Sequence, residues 1–199
     1  MASIERTAYP RFPRTLTLKD LQASFTPRPD ETEWALRYAR RPQGRLALLV
    51  LLKCFQYLRY FPALEAIPPE VVEHVSATLG VTPEQTIQYA GSQTALYRHH
   101  KAIRDLLGVQ PYTDAHTRKL AIRIAQEAAA VVETRVDIIN IVVEDLVRQG
   151  YELPVFRTLD DIAEQAHAFA QAELHVRIAQ RLSAQQRKWL DQLIEAELP

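Results

Sequence analysis

Ser92-Gln93-Thr94-Ala95-Leu96-Tyr97-Arg98-His99-His100-Lys101-Ala102-Ile103-Arg104-Asp105-Leu106-Leu107-Gly108 is the most informative segment of the chain. Leu96, Ile103 and Leu107 recur at spacings of seven and four, which places them on one side of an α-helix. Ser92 is a preferred N-cap type and Gly108 a preferred C-cap type, so both ends of a helix over 92–107 carry their signals. Just upstream, Thr82-Pro83-Glu84-Gln85 has capping-box spacing and predicts a short helix over 83–89, with Gly91 turning the chain. Helix, tight glycine turn, helix is the layout of a helix-turn-helix unit, whose second helix enters the major groove of DNA.

Outward from this segment the same periodicity continues. There are only five glycines in 199 residues, strand-like alternation is scarce, and the chain reads as all-α. Thr17 caps a helix over 18–25. Asp30 caps a second over 31–39, and a third, mostly apolar, covers 43–61. Pro62 and Pro68-Pro69 close this first module, giving the expected divisions 1–62, 63–112 and 113–199. The last division reads as longer packing helices over 113–134, 136–149, 159–182 and 184–198, with Thr113, Thr158 and Ser183 as caps and Pro154 as a break. The expected architecture is two small helix-turn-helix-like modules followed by these helices.

The whole chain has 24 basic and 24 acidic residues and a formal net charge of zero, an average that argues against a nucleic-acid partner. By stretch the balance differs: residues 1–62 hold 11 basic and 5 acidic residues, a surplus of +6, while residues 63–150 and 151–199 are each at −3. Charge acts locally, so the basic amino-terminal third is the informative quantity. Arg11 and Arg14 lie on an extended, proline-rich arm of the kind that can enter a minor groove. Arg40, Arg41 and Arg45 surround a helix start, where backbone N–H groups suit a phosphate. On 92–107, Gln93 and Arg98 have the geometry to read base edges, Lys101 and Arg104 suit phosphates, and Tyr97 and His100 add polar reach. A solvated amphipathic helix and a solubilising surface are the alternatives for the two sets.

Catalytic and metal readings find little support. Adjacent His99 and His100 diverge on a helix, and no carboxylate joins them and His116 at ligand spacing. There is no phosphate-loop, dinucleotide or nucleophile-elbow motif. The one cysteine, Cys54, sits among Leu and Phe as a core thiol and excludes an internal disulfide. The apolar run before Lys53 is far shorter than the roughly 20 residues of a bilayer span. The expectations are a non-catalytic, cytoplasmic, nucleoid-associated protein with no cofactor and no membrane contact.

Leu18-Lys19-Asp20-Leu21 leading to Phe25-Thr26-Pro27, then Arg45-Leu46-Ala47-Leu48-Leu49-Val50-Leu51-Leu52-Lys53-Cys54-Phe55-Gln56-Tyr57-Leu58-Arg59-Tyr60-Phe61-Pro62, resembles the amino-terminal region of TnpA-type replicative transposases of the Tn-three family. The likeness continues through Tyr97 to Gly108, and through Gly150-Tyr151-Glu152-Leu153-Pro154 with Phe156-Arg157-Thr158-Leu159. Where family members often carry Phe after the glycine that ends the recognition helix, this chain has Val109. The resemblance implies helical domains that bind double-stranded DNA at the terminal inverted repeats of a transposon. Strand cleavage in that family belongs to an acidic triad on a carboxy-terminal RNase H-like domain, to which nothing here corresponds. The alternative expectation is a helical interaction module that organises a homodimer of the transposase, with Ile138, Ile139, Ile141, Val142 and Val143 as contact residues.

Overall fold

In a computed structural model, residues 3–82, 93–113 and 115–196 are described. They form nine α-helices and two short 3-10 turns, and the described residues contain no strand, which makes the fold all-α. The expected helix over 83–89 and the Ser92 cap lie outside the described residues.

The first unit is organised around one helix. α1 (Leu18–Phe25) starts at a reciprocal cap: Asp20 N donates to Thr17 Oγ1 at 3.2 Å, and Thr17 N donates to Asp20 Oδ2 at 3.0 Å. Such a cap contributes about 1 kcal/mol. α2 (Pro29–Tyr38) begins earlier than expected. Pro29 occupies its first turn, and the Glu31 carboxylate, not Asp30, accepts the backbone N–H of Arg28 at 2.7 Å. α3 (Pro42–Leu58) has 11 of its 17 residues buried, so it is a central core helix and not a surface one. α1, α2 and α4 (Pro69–Leu79) pack around it. Glu31 and Lys53 form an ion pair inside this core at 3.3 Å, and Gln56 donates to the other Glu31 oxygen at 2.7 Å.

α5 (Gln93–Leu107) completes the same core. Ile103 and Ala102 are buried with Leu48, Phe55 and Val71, while Leu96, Leu107 and Val109 pack at the margin. Described residues on both sides of Pro62, from Leu21 to Ile103, therefore share one apolar cluster, and the boundary expected at Pro62 falls inside it. At the end of α5, Gly108 adopts φ +65°, and Val109 N returns to Arg104 O at 3.0 Å. That conformation suits glycine because it has no Cβ.

A second core is made by α6 (Ala115–Ala129), α7 (Arg135–Arg148) and the first half of α8 (Phe156–Arg181). α7 is capped by Thr134, whose hydroxyl accepts from Asp137 N at 3.1 Å. The helical run expected to continue to 134 ends instead at Ala129, where Val131 N and Val132 N turn back to Ala128 O. α8 starts at Phe156, directly after Pro154, so Thr158 lies within its first turn and is not its cap. Ile138, Ile139, Val142 and Val143 are buried in this bundle, which uses them within the chain. Beyond Ala166 the rest of α8 and α9 (Ala184–Ala196) project away, with Phe169, Leu174, Trp189 and Leu193 exposed.

The amino-terminal arm and three linkers join the two units. Tyr9 is buried in the second core, stacks on Tyr60 at 5.2 Å, and donates its hydroxyl to Pro154 O at 2.9 Å. Three residues later Phe12 packs on Phe25 and Tyr57 of the first core. Gln110 exchanges backbone hydrogen bonds with Gly150 and Glu152, and Leu153 N donates to Arg59 O at 2.9 Å. Among the described residues no helix is long and apolar enough to cross a membrane.

Candidate nucleic-acid interface

α5 has two polar faces with different fates. On the face toward the joint, the Phe61 ring stacks on His100 at 3.7 Å between centroids, and the Arg104 guanidinium lies 5.1 Å over the same ring. Arg104 Nε also donates to Glu152 at 2.7 Å, and both side chains keep under a fifth of their surface in solvent. Burial, then the nearby Arg104 and His99, push the His100 imidazole down to about 4. A group held neutral by packing beside a cation is poorly placed to attract a phosphate. His100 therefore holds α5 to Phe61 in the connection between α3 and α4, and Arg104 ties it both to that ring and to Glu152 between α7 and α8.

The polar positions nearer the start of α5 are open. Tyr97 keeps 67% of its surface exposed, and Arg98 and Lys101 are exposed beside it one turn apart. Arg98 has no ion-pair or hydrogen-bond partner among the described residues. Lys101 donates to Asp105 at 2.9 Å on the same face, and its pKa is raised by that bond and charge first, with Tyr97 and Tyr38 contributing. An exposed i,i+4 pair of this kind is worth a few tenths of a kcal/mol, so a phosphate can displace Asp105 at little cost. The side chain of Gln93 lies outside the described residues.

The basic residues at the start of α3 are equally available. Arg40 and Arg41 are exposed, Arg45 is half-buried, and none has an ion-pair partner among the described residues. Pro42 occupies the first turn of α3, which leaves the helix's amino-terminal N–H groups beside these three cations. Gln43 Nε2 donates to Thr82 O at 2.9 Å and so ties this turn to the chain leading toward α5.

Arg11 and Arg14 belong to a segment that is extended but anchored by Tyr9 and Phe12. Both guanidinium groups reach Glu5 at 3.6 Å, and Arg14 stays 95% exposed. The structure thus brings Arg40, Arg41 and Arg45 together at one turn and Tyr97, Arg98 and Lys101 on one helix face. Arg104 and His100 turn inward, and Arg11 and Arg14 sit on the strap.

Sequence reasoning missed Tyr38, which is 52% exposed at the end of α2 and rests on Trp34 at 5.2 Å. Its i,i+4 spacing from Trp34 was visible, but its nearness to Lys101 depends on how α2 and α5 pack. The Cys54 thiol is fully buried, and burial pushes it up to about 12, so it is a core group and not a nucleophile. Among the described residues no three His, Cys, Asp or Glu side chains converge into a group that could hold a metal ion.

A family model described as "Domain of unknown function (DUF4158)" matches residues 1–166. The match ends where the buried part of α8 ends. The chain is also similar to the transposase for transposon Tn1546 of Enterococcus faecium, at 23% identity over 161 residues. That alignment covers 80% of this chain and 16% of the relative, so the chain spans about a sixth of its length.

Proposed function

The chain belongs to the DUF4158 family, and from that premise we propose that it binds double-stranded DNA at the terminal inverted repeats of a transposon, as the amino-terminal part of a Tn-three-type transposase. The similarity to a transposase supports a role in transposition. One structural observation carries the DNA reading: an exposed helix face with Tyr97, Arg98 and weakly paired Lys101, on a helix whose other side is fixed in a core. This is how a major-groove helix is presented, with base-reading and phosphate-binding side chains on the outward face. Arg98 reads a base edge, Lys101 and the arginines at the start of α3 hold phosphates, and the chain itself cuts no DNA.

A fluorescence-anisotropy titration tests this. Duplex carrying the terminal repeat should bind at least a hundredfold more tightly than scrambled duplex of equal length, within the usual range for specific binders. Equal affinities contradict the sequence-specific reading.

The exposed apolar side chains of α8 and α9 favour a second role for residues 167–196, as an interaction surface that pairs two transposase copies. Light scattering across concentrations, with and without DNA, separates the two. A dimer that forms without regard to DNA supports the interaction role.

A further inference from the structure

We propose that the outward face of α5 and the turn between α2 and α3 form one continuous duplex-binding face with Tyr38 at its middle, in place of two separately docked readers. This deepens the DNA-binding reading and rests on it. The sequence divides the two basic sets between modules, but the structure gives both modules a single core, with Phe55 of α3 and Ile103 of α5 fully buried in the same cluster. Two basic sets fixed to one core cannot choose separate positions on DNA.

Contacts across the expected boundary point the same way. Gln43, at the second residue of α3, bonds to Thr82 on the approach to α5. Tyr38 lies two residues before Arg40, and its ring is steadied by Trp34. Its half-exposed phenol lies within electrostatic range of Lys101 of α5. A tyrosine hydroxyl held by a packed ring is a phosphate donor that loses little freedom on binding. On this proposal Tyr38, two residues before Arg40 and within electrostatic range of Lys101, links the arginines of the α2–α3 turn to the exposed residues of α5.

Size fixes the reach of such a face. A body of about 90 residues is roughly 30 Å across by the scaling of compact domains. One turn of B-DNA is about 34 Å, or about 10 base pairs. The face therefore covers about one helical turn, with α5 in the groove and the α2–α3 turn on the adjoining phosphates.

The test is hydroxyl-radical footprinting of the full chain on a duplex that the protein itself selects from a randomised pool. A single continuous protected block of about one turn is expected. The double variant Arg40→Ala/Arg41→Ala should shrink one end of that block and lower the log–log salt slope by about two units. Tyr38→Phe keeps the ring on Trp34 and removes only the hydroxyl, so it should weaken binding about fivefold without changing the melting temperature. Two protected blocks separated by open DNA overturn the single face while leaving DNA recognition standing. An unchanged slope in the double arginine variant also overturns it. If no duplex is enriched from the pool, the DNA-binding reading itself fails.

Discussion

The polar residues of α5 are similar in type and do different work. His100 and Arg104 look as suited to DNA as Arg98 and Lys101, and the helix places them only a few residues apart. The inward pair meets Phe61 and Glu152, where an arginine's flat guanidinium stacks and chelates at once. The outward pair meets solvent. A basic residue on a helix acquires its role from what packs against its own face, so counting cations along α5 overstates the binding surface. The contrast also explains why a region with a balance of −3 can present a locally positive face.

The largest expected effect comes from breaking the inward face. Arg104→Ala leaves Glu152 mostly buried and unpaired, and such losses cost about 3 kcal/mol. For a chain of this size that is a fall of roughly 6–12 °C in melting temperature, read by calorimetry or circular dichroism. Arg104→Lys should recover only part of the loss, since an ammonium cannot stack and chelate together. If Arg104→Ala melts like the wild type and instead binds DNA more weakly, the two faces have been assigned the wrong way round.

A smaller effect follows from His100. The unfolded chain takes up a proton on this residue near pH 6.5, while the folded chain does so only near about 4. Its contribution to stability is therefore complete above pH 6.5 and is lost as the pH falls toward 4. His100→Phe keeps a ring against Phe61 and should flatten the pH dependence of melting in that window. An identical slope in wild type and variant contradicts the burial of His100.

On the outward face the effects move from stability to binding. Lys101→Ala should leave the melting temperature within experimental error, because the pair with Asp105 is exposed. It should reduce the salt slope of DNA binding by about one unit. An unchanged slope removes Lys101 from the interface.

The helices were legible where the signal is local. The Thr17 cap, the apolar run of α3, and the glycine stop after α5 all act within a turn or two, and the structure places those ends within a few residues of expectation. The caps of α2 and α8 were misread because proline sets those starts: Pro29 opens α2 and Pro154 precedes α8. Long-range packing was not legible. Arg104 and Glu152 are 48 residues apart, and nothing in either neighbourhood announces the other. The shared core of α3 and α5 is hidden for the same reason, since an apolar stripe shows that a face is buried but not against what. Tyr38 is four residues from Trp34, a local spacing that tells nothing of its place relative to α5.

The assignment of the outward face as the DNA reader is tested most directly by Arg98→Ala. Its affinity should be measured by fluorescence anisotropy on terminal-repeat duplex and on scrambled duplex at one salt concentration. Arg98 is exposed and has no ion-pair partner among the described residues, so the variant should fold and melt normally. If Arg98 reads a base, affinity for the repeat should fall about 5- to 150-fold, corresponding to about 1–3 kcal/mol, while affinity for scrambled duplex changes far less. An unchanged affinity for the repeat, with normal folding, would contradict the account.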